Sequence, residues 1–278
     1  MFFEKSNVFF IILITLPISH LINMNKINLL SCFFIIYALS TTQVAADELR
    51  VAVSSNFYPT MKLIAKRYEL KTGGSSGQQH KVVLIPGSSG KHFAQIMNGA
   101  PFDVFFSADE ERPRLLEKEG KAQTGTRYTY ALGKLVLWSP LDGFIDSEGS
   151  VLKQKDFRYL AIANPKISPY GASAEEVLRS LELWDNMQDR LVRGENITQT
   201  FHFVKSSNAK LGFVAYSQIM NPRLTITGSF WEVPQSIYKP IQQQAVLLKD
   251  SYIGREFLSF VQSDESLSII SKSGYGLP

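Results

Sequence analysis

The sequence predicts an α/β fold divided into two lobes joined by a hinge. Short apolar runs alternate with amphipathic helical stretches, the pattern of parallel βαβ units. The alternation starts twice, and each cycle has the size of one lobe, about 80–110 residues. The last strand and helix lack a partner in the second cycle. Returned to the first, they make the chain cross between lobes twice. The expected lobes are 47–130 with 238–278, and 131–237.

The elements follow in order. "LRVAVSS" (49–55) is a buried strand, and "FYPTMKLIAKRYELKTG" a helix that stops at Gly73. "KVVLIPG" (81–87) is the second strand, followed by the helix "KHFAQIMNGA". "FDVFFSA" (102–108) is the third, followed by the charged helix "DEERPRLLEKEG". The second cycle opens with the strand "GKLVLWSP" (133–140). "YLAIANP" (159–165) then precedes the helix "ASAEEVLRSLELW", and "RLVRGE" leads to "NITQTFHFVKSSNAK". "LGFVAYSQI" reads as one buried strand and 221–236 as irregular. "IQQQAVLLK" is a late strand, and "IGREFLSFVQSDESLSIISKSG" a single final helix.

Residues 1–46 read as a leader. From Met24 the order is that of a secretory signal: "MNK", apolar "INLLSCFFIIYAL", polar "STTQ", then "VAA" before Asp47, with small Val44 and Ala46 where signal peptidase requires them. Met24 is the expected initiator and "VFFIILITLPISHLI" an over-extended start; the alternative is a membrane anchor. Cleavage after Ala46 leaves 232 of 278 residues and removes Cys32, the chain's one cysteine. The mature chain then has no disulfide, thiol nucleophile or cysteine metal site. Its core must hold it, and a chain 45% hydrophobic can supply one. Losing Lys5, Lys26 and Glu4 lowers the net charge from +4 to +3. That is too mild for a nucleic-acid surface.

In open α/β sheets ligands sit beyond the carboxyl ends of the strands. The loops there are "SSNF", "GSSG", "NPKISPYG" and "EN". They carry small hydroxyl or amide side chains, and each opens a helix whose first N–H groups attract anions. "IPGSSGKH" fails as a nucleotide P-loop: Ile85 replaces the first glycine and His92 the Mg²⁺-binding hydroxyl. An anion cradle survives that test; the alternative is that Ser88 and Ser89 are ordinary N-caps.

Other chemistry has less support. A nucleophilic Ser54, Ser55, Ser88 or Ser89 needs a positioned base. None of His80, His92 and His202 lies on a loop at a strand's carboxyl end, and His92 reads as a surface helix residue. The run Asp109, Glu110, Glu111 reads as a solvated helix start rather than a metal site. Trp138, Trp184 and Trp231 read as core or hinge packing.

The motifs "VAVSSNF", "GSSGKHFAQIMNGAPFDVFFSAD", "YALGKLVLWSP", "IANPKISPYG", "LGFVAYSQI" and "GYGLP" resemble the periplasmic molybdate-binding proteins of molybdate ABC transporters, over essentially all of 48–278. The resemblance implies a type II periplasmic-binding-protein fold, with mostly parallel sheets flanked by helices. It implies a monomer that is not an enzyme and has no cofactor, taking molybdate or tungstate to a membrane permease. Molybdenum would be bound only as the oxyanion. The binding residues it implies are Ser55, Asn56, Ser89, Tyr170 and the backbone of Ile197. Many members have a ligating tyrosine at the position of Ala215; here Tyr170 is expected to reach the same oxygen from another loop. Tyr216, read as a strand residue, should point to the opposite face.

Neutral donors suit such a ligand. Five or six charge-assisted bonds at roughly 1.5–3 kcal/mol each give a Kd between about µM and nM after the cost of closure. Molybdate, tungstate and sulfate only accept hydrogen bonds at neutral pH, whereas phosphate carries a proton and needs an acceptor. The loops offer none, although Glu195 lies beside one. Lys91 is expected to face solvent. A binder of sulfate or another tetrahedral oxyanion is the alternative.

Overall fold

The computed structural model describes residues 48–76, 80–220 and 227–278. The expected leader, its start at Met24, its cleavage site and Cys32 lie outside the described residues.

In chain order the elements are β1 (Glu48–Ser54), α1 (Tyr58–Ser76), β2 (Lys81–Gly87), α2 (Ser89–Met97), β3 (Val104–Phe106), α3 (Glu111–Lys118), β4 (Tyr128–Gly133) and β5 (Leu135–Ser139). There follow α4 (Val151–Gln154), β6 (Leu160–Ala163), α5 (Pro169–Ser180), α6 (Trp184–Met187), β7 (Leu191–Gly194) and α7 (Ile197–Lys205). The chain ends with β8 (Leu211–Ala215), α8 (Tyr216–Ile219), β9 (Ser229–Glu232), β10 (Ile241–Leu247), α9 (Tyr252–Val261) and α10 (Asp264–Lys272).

Two five-stranded sheets form, ordered β2-β1-β3-β10-β4 and β7-β6-β8-β5-β9. In the first, β1 runs parallel to β2 and β3, while β10 is antiparallel to β3 and β4. In the second, β6 runs parallel to β7 and β8, while β5 is antiparallel to β8 and β9. Each sheet therefore has one reversed strand, and it is the strand by which the chain arrives from the other sheet. The two exchanges, at Lys134 and at 233–240, join the sheets side by side. Leu49, Val51, Val53, Phe106 and Phe257 pack the first core, and Leu137, Ile162, Leu178 and Phe213 the second, all fully buried.

Several local readings change. The sequence reading placed no strand at 128–132, yet β4 pairs there with β10 and keeps Ala131–Gly133 in the first sheet, past the expected boundary at 130/131. Helix α1 continues through Gly73, a tolerable cost of about 1 kcal/mol in a helix anchored by its buried face. "LGFVAYSQI" is not one strand. β8 stops at Ala215, whose N–H donates to Gln218 Oε1 at 3.0 Å, and Tyr216 opens a helical turn. Its ring faces Phe230 instead of following strand alternation. Strand β9 lies within 221–236, of which 221–226 fall outside the described residues. The final helix breaks at Ser263, whose hydroxyl caps α10.

His92 is a further correction. It is 2% exposed, with its ring packed against Phe102, Phe105 and Gly87. Burial lowers its pKa below the usual 6.5. The unfolded chain therefore takes up a proton in mild acid that the folded protein refuses. The stability due to His92 is complete above about pH 6.5 and is lost as pH falls through the lower, folded value. A thermal-unfolding series from pH 7.5 to 5 should show a shallower acid loss in His92→Gln than in wild type; equal slopes would remove His92 from the acid response.

Candidate functional site

Four loops at the carboxyl ends of β1, β2, β6 and β7 converge between the sheets. Helix capping on each leaves some polar groups free. On the β2 loop the two serines divide the work. Ser88 is the N-cap of α2, its hydroxyl accepting from Lys91 N at 3.3 Å. Ser89 is not a cap. Its hydroxyl lies 2.6 Å from that of Ser54 and accepts from the Ala108 N–H at 2.9 Å. A serine hydroxyl has one proton and two lone pairs. If Ser54 donates to Ser89, both lone pairs of Ser89 are used and its proton is free for a ligand.

On the β1 loop, Ser55 and Asn56 are buried. The Ser55 N–H donates to Gly87 O at 2.9 Å, tying this loop to the end of β2. The Asn56 amide nitrogen donates backward, to Gln243 Oε1 at 2.7 Å and to the Tyr275 hydroxyl oxygen at 3.2 Å. Tyr275 in turn donates to the Asn56 carbonyl at 2.9 Å and accepts from Ser217 at 3.0 Å. Tyr130 donates to Ser107 O at 3.0 Å in the same network. Burial holds Tyr130 and Tyr275 neutral by raising their pKa values. With its side chain so engaged, Asn56 has its backbone N–H left to offer.

On the β7 loop, Asn196 caps α7 by accepting from Thr198 N and Gln199 N, both at 3.0 Å. The first helical N–H, that of Ile197, is left out of the cap. On the β6 loop, Pro169 begins α5 and Tyr170 follows. The Tyr170 side chain is 1% exposed and its hydroxyl has no partner among the described residues. Burial first, then the neighbouring Tyr275 and Tyr238, raise its pKa well above the usual 10.0, while the adjacent Asn56 amide opposes the rise. The phenol is thus a proton donor throughout the physiological range. Its tip lies over Gly133, where any Cβ would collide with the oxygen.

The structure is closed around these groups. The Gly90 N–H donates to Ile167 O across the lobes at 2.8 Å, and the Thr198 hydroxyl to Ser55 O at 3.1 Å. Lys91 and Glu195 pair across the lobes at 3.6 Å, both largely exposed. The Glu195 carboxylate thus turns outward. Arg112, beside Gly90, is held by Asp109.

The structure therefore gathers all five sequence-named residues, but Asn56 presents its backbone rather than its amide. Ser54, Gln243 and Tyr275 were not assigned roles from sequence. The signal for Gln243 was a polar run, "QQQ", inside a buried strand. Among the described residues no three of His, Cys, Asp and Glu come together, so the 109–111 carboxylates form no metal cluster. Trp138 stacks on Phe201 and Trp231 is buried in the second core.

Residues 49–276 match the family model described as bacterial extracellular solute-binding protein. The chain is 45% identical over 235 residues to the molybdate-binding protein ModA of Azotobacter vinelandii, covering 84% of this chain and 91% of that protein. It is 44% identical to the molybdate-binding protein ModA of Rhodobacter capsulatus, covering 83% and 89%. The solved Azotobacter vinelandii periplasmic molybdate-binding protein superposes with a TM-score of 0.78 at 42% identity, over 83% of this chain and 99% of that one.

Proposed function

The chain belongs to the bacterial extracellular solute-binding proteins, and on that premise we propose that it captures molybdate, and tungstate, in the periplasm and delivers it to the membrane permease of an ABC transporter. It acts as a monomeric carrier, without catalysis or cofactor, after export and cleavage following Ala46. The observation that supports an oxyanion most directly is the buried, unpartnered Tyr170 hydroxyl. A buried hydroxyl without a partner costs about 1–3 kcal/mol. A ligand oxygen at that point turns the cost into a charge-assisted bond.

The binding set is Ser55, Asn56, Ser89, Tyr170 and Ile197. Tyr170 reaches from the lobe opposite Ser55, Asn56 and Ser89, so one oxyanion accepting from both sides holds the lobes together. This is hinge closure driven by ligand contacts present in the closed state alone. The set contains no carboxylate, since Glu195 pairs with Lys91 outside. Protonated phosphate therefore finds no carboxylate to accept its proton, while fully deprotonated oxyanions are satisfied. Neutral donors also make release at the permease easier than a buried cation would.

Calorimetric titration with molybdate, tungstate, sulfate and phosphate tests the reading. Tight one-to-one binding of the first two, with silence from the others, is expected. Binding of sulfate alone would move the function to the alternative oxyanion. Absence of heat from all four would reduce the loops to helix caps.

Ser89→Ala should weaken molybdate binding about tenfold or more. It should also lower the melting temperature of the unliganded protein, because Ala108 N–H and Ser54 lose their partner. Unchanged affinity would remove Ser89 from the binding set.

A further inference from the structure

Beside the oxyanion loops runs a groove of about 550 Å³ whose walls come from both lobes. Helices α1 and α10 form one wall, and α7 and α8 the other. The volume lies in the range of small-molecule sites, about 300–1,000 Å³. Leu63, Phe201 and Ile269 give it an apolar lining. Its charged and titratable members are Lys62, Lys272 and Tyr58 on the first lobe, and Lys205 and His202 on the second; the Lys62 ammonium lies over the Tyr58 ring, 5.6 Å from its centre. Among the described residues no carboxylate lines it. Among the described residues none of the three lysines is within ion-pair reach of one.

Helix dipoles account for Lys205 and Lys272, each the last residue of its helix. They do not account for Lys62, in the first turns of α1, or for the absence of acids from both walls. Closing the lobes brings like charges toward each other across an apolar trough. An anion with an apolar body would neutralise the rim and cover the trough at once.

We propose that this groove is a second ligand site, for a small amphipathic anion: an aromatic ring system bearing one carboxylate or sulfonate. The ring lies against Phe201 and Leu63, and the acid group is shared between lysines of the two lobes. Because both walls contribute, the site is complete in the closed state, so its occupant and closure favour each other. Ser55 and Asn56 also line the groove, so the two sites share the β1 loop. Binding in the groove stands independently of the oxyanion reading; only the coupling between the sites rests on it.

The probe is anilinonaphthalene sulfonate, an aromatic monoanion whose fluorescence rises in apolar surroundings, titrated into the purified protein. Saturable one-to-one binding is expected, weakened about tenfold by Lys205→Glu and, on the opposite wall, by Lys62→Glu. Molybdate at saturation should leave the dye bound and tighten it about twofold or more. In Ser89→Ala the same tightening should require about tenfold more molybdate. Non-saturable binding, binding indifferent to both charge reversals, or expulsion of the dye by molybdate would each overturn the proposal. Silence toward molybdate with a normal dye response would instead overturn the oxyanion reading alone.

Discussion

Tyr170→Phe should lower molybdate affinity by about tenfold to a hundredfold and leave the unliganded protein as stable as before, or more so. The two halves of this result have one cause. In the closed structure the phenol oxygen is buried and makes no hydrogen bond to any of the described residues. Removing it breaks nothing and relieves a desolvated hydroxyl, while the ring, packed among the second core, stays in place. In the complex the same hydroxyl donates to an oxyanion, and a charge-assisted bond contributes roughly 1.5–3 kcal/mol, which is the stated loss of affinity. Calorimetry gives the affinity and thermal unfolding the stability. A variant with wild-type affinity would show that Tyr170 does not compensate for the missing tyrosine at Ala215. A variant that lost stability and affinity together would make Tyr170 a packing residue.

Gly90→Ala should also weaken molybdate binding about tenfold to a hundredfold, although Gly90 offers the ligand no side chain. A Cβ at Gly90 would lie 2.8 Å from the Ile167 Cα and 2.9 Å from its carbonyl oxygen, both backbone atoms of the opposite lobe. Backbone yields less than a side chain, and overpacking of this kind costs about 1–3 kcal/mol. The closed state alone bears that cost, together with loss of the Gly90 N–H to Ile167 O bond. Gly90 sits in the first turn of α2, where alanine is the better helix former by about 1 kcal/mol. The variant should therefore melt at the same temperature or higher without ligand, yet close less readily. Small-angle scattering with saturating molybdate should show less compaction than in wild type. Full compaction and unchanged affinity would place the lobe contact elsewhere.

Much of the fold was legible because its signals are local. Buried strands such as "LRVAVSS" and "YLAIA" are continuous apolar runs, and α7 begins at its cap Asn196 as read, whereas α2 and α5 begin earlier than read, at Ser89 and Pro169 instead of Lys91 and Ala172. Elements of weak local pattern were misread: β4 and β9 are strands because β10 and β5 pair with them. Tyr216 leaves the strand because Gln218 reaches back to the Ala215 N–H.

The sequence by itself determined that four loops rich in hydroxyls and amides open helices at the carboxyl ends of strands, and that no cysteine belongs to them. The tertiary structure decided what each group has left to give. Ser88 is consumed by its helix and Ser89 is not; the Asn56 amide is turned backward by Gln243 and Tyr275; Tyr170 keeps a buried proton without an acceptor among the described residues. Glu195, beside the α7 cap Asn196, is drawn outward to Lys91. A hydrogen-bonding group satisfied by its neighbours has little left for a ligand, and those neighbours lie up to 219 positions away along the chain, as Tyr275 does from Asn56. Sequence shows which donors exist; the packing of two lobes decides which remain free.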